Sequence, residues 1–78
     1  MALRDLVLTI ARALVDEPEA VAVHERERNG EQILELEVAR ADIGKVIGKD
    51  GRTAQSIRTV LIAASQKAGR RVHLDIVD

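Results

Sequence analysis

A chain of 78 residues has room for one small domain, and at this size only about 60% of the unfolded surface becomes buried. Leu, Ile and Val supply 24 of the residues, enough for one aliphatic core and too many for a disordered tail. Cysteine, Phe, Tyr and Trp are absent, which excludes disulfides, thiolate metal sites, a cysteine nucleophile and a nucleic-acid platform built on aromatic stacking.

The net charge of −1 conceals a division. Residues 1–39 hold four arginines against nine acids, a net of −5, whereas residues 40–78 hold eight Lys/Arg against four acids, a net of +4. Such asymmetry points to one face that attracts anions. No segment reaches the roughly 18–20 apolar residues of a membrane span. The apolar stretch Leu6–Val15 is broken by Thr9 and Arg12 and has no cleavage site after it, so it is expected to be part of an amphipathic element and not a signal peptide. A cytoplasmic protein without membrane association is expected.

In chain order, Leu3, Leu6, Val7, Ile10 and Leu14 recur at helical spacing and predict an amphipathic helix, with Leu8, Ala11 and Val15 widening its apolar stripe. Pro18 is expected to stop it, because the residue before a proline is pushed out of the α region. Two alternating runs follow, Ala20–Arg28 and Glu31–Ala39, separated by Asn29-Gly30. That dipeptide predicts a type I′ hairpin, which needs positive φ at both positions. A two-residue turn places Val21 opposite Val38, Val23 opposite Leu36 and Glu25 opposite Leu34, with His24 meeting Glu35 and Arg28 meeting Glu31 on the other face.

Asp42 is suited to cap a short helix, Ile43–Ile47. After Gly48-Lys49-Asp50-Gly51, a longer helix, Arg52–Ala68, carries Ala54, Ile57, Val60, Leu61, Ala64 and Ala68 on one side. Lys67 in its last turn and Gly69 just beyond suit a helix end. Arg71–Asp78 alternates again, with Val72, Leu74 and Ile76 inward and His73 and Asp75 outward. The order helix, strand, strand, helix, helix, strand requires a crossover between the second and third strands, hence a parallel pair. The fold class is α+β, a three-stranded mixed sheet covered on one face by three helices, with Glu31–Ala39 central.

Chemistry concentrates in Ile43–Arg52. Gly48 can take the left-handed conformation at the first helix end, and Gly51 lets a ligand backbone approach closely. The N–H groups of Asp50, Gly51 and Arg52 then lie at the start of the next helix, where orphan donors favour a phosphate. Lys49 and Arg52 add charge there, with Lys45 and Arg40 upstream. A P-loop is excluded, because Gly44 stands four residues before Gly48 and Asp50 replaces the hydroxyl residue. His24 and His73 lack ligand-like spacing, and Glu35 and Glu37 alternate on an outward strand face, so neither a metal nor acid–base catalysis is expected. No cofactor is expected either. Arg70-Arg71 suits a helix-end complement and an RNA contact equally.

Val46-Ile47-Gly48-Lys49-Asp50-Gly51 resembles the KH-domain signature, an aliphatic pair followed by G-x-x-G. The element order is similar to the type II KH arrangement, αββααβ, over the whole chain, as one domain spanning residues 1–78. The size and the stretch Gly44–Arg52 resemble the small stand-alone bacterial KH proteins of the KhpA kind. KH domains hold about four single-stranded nucleotides on the G-x-x-G loop. The resemblance therefore implies an RNA-binding protein and not an enzyme, with Arg40, Ile43, Gly44, Lys45, Ile47, Gly48, Lys49, Asp50, Gly51, Arg52 and Ala54 in the binding region and the middle strand along the groove. Ala54 stands where the commoner pattern has a larger aliphatic, so the groove wall is expected to be shallow there.

The resemblance further implies an RNA chaperone acting with a KhpB or Jag-like KH partner and linked to cell-envelope homeostasis and cell shape. Alternatives of another class are a KH-fold module whose main task is dimerisation, and a ribosome-assembly factor. Leu8, Val15 and Ile62, off the main apolar stripes, are the expected contacts of a homodimer or heterodimer.

Overall fold

In a computed structural model, which describes residues 2–77, the first helix (α1) spans Leu3–Leu14. Its buried side is Val7, Leu8 and Ala11, while Leu3, Ile10 and Val15 pack against the core from its margin and Leu14 is 39% exposed. Val7 of the expected stripe is thus buried together with Leu8 and Ala11 of its flank, while Leu3 and Ile10 of the stripe lie at the margin with Val15. Apolar residues nearly encircle α1, and the sheet takes the narrow face centred on Val7, Leu8 and Ala11. The helix also ends earlier than Pro18 demands. Val15 is already extended, at φ −95 and ψ 162, and Pro18 instead opens a 3-10 turn, Pro18–Ala20, where its missing N–H costs nothing.

Strands β1 (Ala22–Arg28) and β2 (Glu31–Glu37) pair antiparallel in the expected register, from Ala22 opposite Glu37 to Arg28 opposite Glu31. Asn29 and Gly30 have φ of 54 and 80, as a type I′ turn requires. On the outer face the side chains pair differently from the backbone. His24 Nε2 lies 3.4 Å from Glu37 Oε1, and Arg26 donates to Glu35 at 3.1 Å. Glu31, expected to meet Arg28, lies 2.8 Å from His73 Nε2 on β3 (Val72–Ile76) instead. The sheet order is β1-β2-β3, with β3 parallel to β2.

Two further helices complete the layer, α2 (Ile43–Ile47) and α3 (Arg52–Lys67). On α3 the buried residues are Ala54, Ile57, Leu61 and Ser65; Val60 is 47% exposed and Ala68 is open to solvent, against expectation. The helix ends as a Schellman motif: Arg70 N–H donates to Ser65 O at 2.9 Å and Gly69 N–H to Gln66 O at 3.1 Å, with Gly69 at φ 71. Leu34 and Leu36 of the central strand are fully buried against α1, α3 and Val46 of α2 in one aliphatic cluster. Among the described residues, no helix is long and apolar enough to cross a membrane.

Candidate nucleic-acid interface

The five residues of α2 are anchored by the fully buried Val46, with Ile43 and Ile47 half-buried and Gly44 and Lys45 exposed. Gly48 N–H closes the helix on Gly44 O at 2.9 Å. Gly48 then turns the chain at φ 75 and ψ 175, a positive φ with extended ψ instead of the expected left-handed helical conformation. Only glycine is at ease there. A Cβ on Gly48 would overlap Thr53 Oγ1 and come within 2.9 Å of Thr53 N. Asp50 (φ 57, ψ 26) and Gly51 (φ 74, ψ 11) follow in the left-handed region, and α3 begins at Arg52. A Cβ on Gly51 would meet open space.

The loop uses part of its own donor set. Gly51 N–H donates to Gly48 O at 3.1 Å, and Arg52 N–H donates to Lys49 O. Two of the three amides expected to face a phosphate are therefore engaged inside the turn, and charge at this site resides mainly in side chains. Lys49, Arg52 and Arg40 are exposed and belong to none of the ion pairs among the described residues.

Lys45 is placed differently. Its Nζ lies 3.1 Å from Asp16 Oδ2 and 3.5 Å from Asp42 Oδ1, so its charge is turned toward the α1–β1 linker. The hydrogen bond and attraction to Asp16 raise its pKa, and Asp42 adds to this. Asp42, the expected helix cap, makes no side-chain cap bond. It is 1% exposed, and its Oδ2 accepts the Glu17 N–H at 3.0 Å. Local spacing suits a cap, but a tertiary donor 25 positions away takes the carboxylate instead.

Burial pushes the Asp42 pKa up, but the backbone bonds from Glu17 and Asp16, with Lys45, outweigh it and hold the group below the ordinary carboxylate value. A depressed folded-state pKa contributes stability above about pH 4, which is lost as pH falls through the folded value. Urea midpoints measured down the acid range should therefore fall for the parent. Asp42→Asn should be less stable than the parent at neutral pH and show a flatter acid decline.

The middle strand, β2, is paired along both sides, and its inward residues Leu34 and Leu36 are fully buried, so it has no free edge. The open edge beside α3 belongs to β3. There Arg58 Nε and Nη2 each donate to Leu74 O at 3.4 Å, above a shallow concavity of about 270 Å³ lined in part by Ile62, His73 and Asp75. Sequence reasoning passed over Arg58 and β3, although a strand added in parallel to an already paired β2 must lie at an edge. Ala54 is buried and presents little to a ligand, consistent with a shallow wall.

Of the expected oligomer contacts, Leu8 is 8% exposed and belongs to the core, Val15 packs on the core margin, and Ile62 is 49% exposed. Leu8 is therefore unavailable as a contact. Arg70 and Arg71 lie at the far end from α2, lining a concavity of about 790 Å³ with the Asn29-Gly30 turn. Among the described residues no group of three His, Asp or Glu side chains is arranged to hold a metal.

Comparison with known proteins agrees with this geometry. The chain is 53% identical over 73 residues to RNA-binding protein KhpA of Caldanaerobacter subterraneus subsp. tengcongensis, covering 94% of this chain and 97% of that one. It is 46% identical over 77 residues to RNA-binding protein KhpA of Aquifex aeolicus, covering 99% and 98%. The crystal structure of APE1850 superposes with a TM-score of 0.67 at 26% identity over 94% of this chain, which spans 48% of that one. The crystal structure of Aquifex aeolicus Era Y63A bound to GDP.AlF4- shares the fold, with a TM-score of 0.65 at 22% identity over 95% of this chain, which spans 29% of that one. The model of the family described as KhpA/KhpB, KH domain matches residues 4–76, and with the αββααβ order and the Gly48–Gly51 loop in place, the chain belongs to that family.

Proposed function

We propose that this protein binds single-stranded RNA on the Gly48–Gly51 loop, without catalysis, as a small RNA chaperone or post-transcriptional regulator in the cytoplasm. The observation that carries the reading is the exposed pair Lys49 and Arg52 on a glycine loop, with Arg40 upstream of α2, all three outside the ion pairs among the described residues, in a family whose members are called RNA-binding proteins. Ile43, Gly44 and Ile47 flank the loop as the aliphatic side of the groove, with Ala54 buried behind them, and the edge of β3 is its other side. A backbone held by charge and bases lying on aliphatic surface need no aromatic ring.

One such module supplies few contacts. Affinity on the order of 10⁻⁴–10⁻⁶ M, falling steeply with salt, is expected. Pairing with a second KH protein of the KhpB or Jag-like kind, or with a second copy, raises effective concentration and hence affinity. The family description joins KhpA with KhpB, which supports such a partner. A role in cell-envelope homeostasis and cell shape belongs to this reading. A dimerisation module is the second reading, and the exposed Ile62 favours it.

Anisotropy titrations of labelled short single-stranded RNAs test the proposal. Lys49→Asp should weaken binding to all sequences by about tenfold or more, since a hydrogen bond to a charged group contributes about 1.5–3 kcal/mol. Stability should stay within about ±0.5 kcal/mol, because the side chain is exposed and makes no ion pair. Unchanged affinity at low salt would refute binding on the Gly48–Gly51 loop, and a parent that binds no RNA would favour the dimerisation module.

A further inference from the structure

A helix of five residues does not hold its own direction; its orientation comes from what it is tied to. Val46 is the one fully buried apolar anchor of α2, and Ile43 packs at the core margin beside it, a grip too small to fix the rotation of so short a helix. The ties that add to it are polar. Asp42, at the start of α2, directs its buried carboxylate away from its own helix and accepts the Glu17 N–H at 3.0 Å. Lys45, one helical turn on and on the same face, closes 3.1 Å from Asp16 Oδ2 and 3.5 Å from Asp42 Oδ1. One end of α2 is thereby fastened to the α1–β1 linker, and the other runs directly into Gly48.

We infer that Asp16, Asp42 and Lys45 form a latch that sets the orientation of α2 and, through it, the position of the Gly48–Gly51 loop. Asp42 and Lys45 are positioning residues for the loop, and Lys45 is not one of its phosphate contacts. The part concerning RNA rests on the function proposed above; the part concerning loop order does not. Lys45 and Asp16 reach solvent, but Asp42 is buried, so removing Lys45 leaves a buried carboxylate without its cation. Were Lys45 to swing to a phosphate, Asp42 would lose its cationic partner while remaining buried. Lys49, Arg52 and Arg40 carry no such obligation. The latch also gives the linker Asp16–Glu17 a task that its exposed, acidic residues do not otherwise suggest.

Amide hydrogen exchange and RNA titration across a salt series, on the parent and on Lys45→Gln, Lys45→Arg, Asp42→Asn and Lys45→Gln with Asp16→Asn, separate the possibilities. The amides of Gly48, which closes α2 on Gly44 O, and of Gly51, which donates to Gly48 O, report the end of α2 and the loop, and those of Leu34 and Leu36 report the core. A latch predicts that Lys45→Gln speeds exchange at Gly48 and Gly51 by about tenfold or more while Leu34 and Leu36 stay protected. RNA affinity should fall with an unchanged salt slope, Lys45→Arg should restore both, and adding Asp16→Asn to Lys45→Gln should cost nothing more. Asp42→Asn should act in the same direction.

A salt slope lowered by about 0.7 in Lys45→Gln with loop exchange unchanged would make Lys45 a direct phosphate contact and overturn the latch. Faster exchange at loop and core alike in Lys45→Gln would make its contacts a general contribution to stability, which also overturns it. If the parent binds no RNA, the proposed function fails, and the exchange measurements alone decide the latch.

Discussion

Gly48→Ala is expected to unseat the loop and lower the stability of the whole protein, whereas Gly51→Asn is expected to fold normally. Both positions belong to the same four-residue motif and both have positive φ, but they differ in what surrounds them. At Gly48, φ 75 with ψ 175 is a conformation that side chains do not tolerate, and an added Cβ would also overlap Thr53. The backbone strain is about 1–3 kcal/mol and the steric insertion a similar amount, so a loss of about 2–5 kcal/mol follows. Trimming Thr53 to alanine would not rescue the variant, because Thr53 Cβ and N are themselves 2.6 and 2.9 Å from the added atom. Gly51 at φ 74 and ψ 11 is left-handed helical with open space around it, a position asparagine occupies readily. Thermal melts followed by circular dichroism check both. A Gly48→Ala protein that melts with the parent would contradict the loop geometry. A Gly51→Asn protein that melts normally but loses RNA would show that the missing side chain serves the ligand.

What the residues reveal in advance divides by the range of the interaction. The hairpin is fully readable, because Asn29-Gly30 admits one turn type and that turn admits one register. The end of α3 is readable for the same local reason. The face that α1 buries is not, since Leu3, Leu6, Val7, Leu8, Ile10, Leu14 and Val15 nearly encircle it and periodicity alone cannot choose a side. Asp42 fails more instructively. Its position before an aliphatic turn is indistinguishable from that of a cap, and only the folded chain brings the Glu17 N–H to it. Lys45 carries the same lesson for the site: counting cations near a glycine loop includes one whose charge is already taken. Topology is readable too: a β3 that joins β2 in parallel beside an already paired β1 must lie at an edge, which leaves β2 without a free one.

The largest effect expected of a single substitution is at Leu8, and it reverses the residue's expected use. Read as an association contact, Leu8→Glu tests dimerisation; in the folded chain it tests the core. Leu8 is 8% exposed and packs in the aliphatic cluster beneath the sheet-facing side of α1. Glutamate there forfeits about 2 kcal/mol of apolar burial and places a carboxyl group where the cluster supplies no polar partner, at a further cost of several kcal/mol. A domain of this length holds only about 4–12 kcal/mol in total. Leu8→Glu should therefore be largely unfolded at ambient temperature, and any loss of dimer or RNA binding in it would say nothing about an interface. Ile62→Glu is the informative partner experiment. Its side chain is 49% exposed on α3 near the open edge of β3, so stability should stay within about 0.5 kcal/mol of the parent. Light scattering on the folded Ile62→Glu protein then reads association alone. A dimeric parent made monomeric by this change would place the contact beside β3, and an unchanged dimer would remove Ile62 from it.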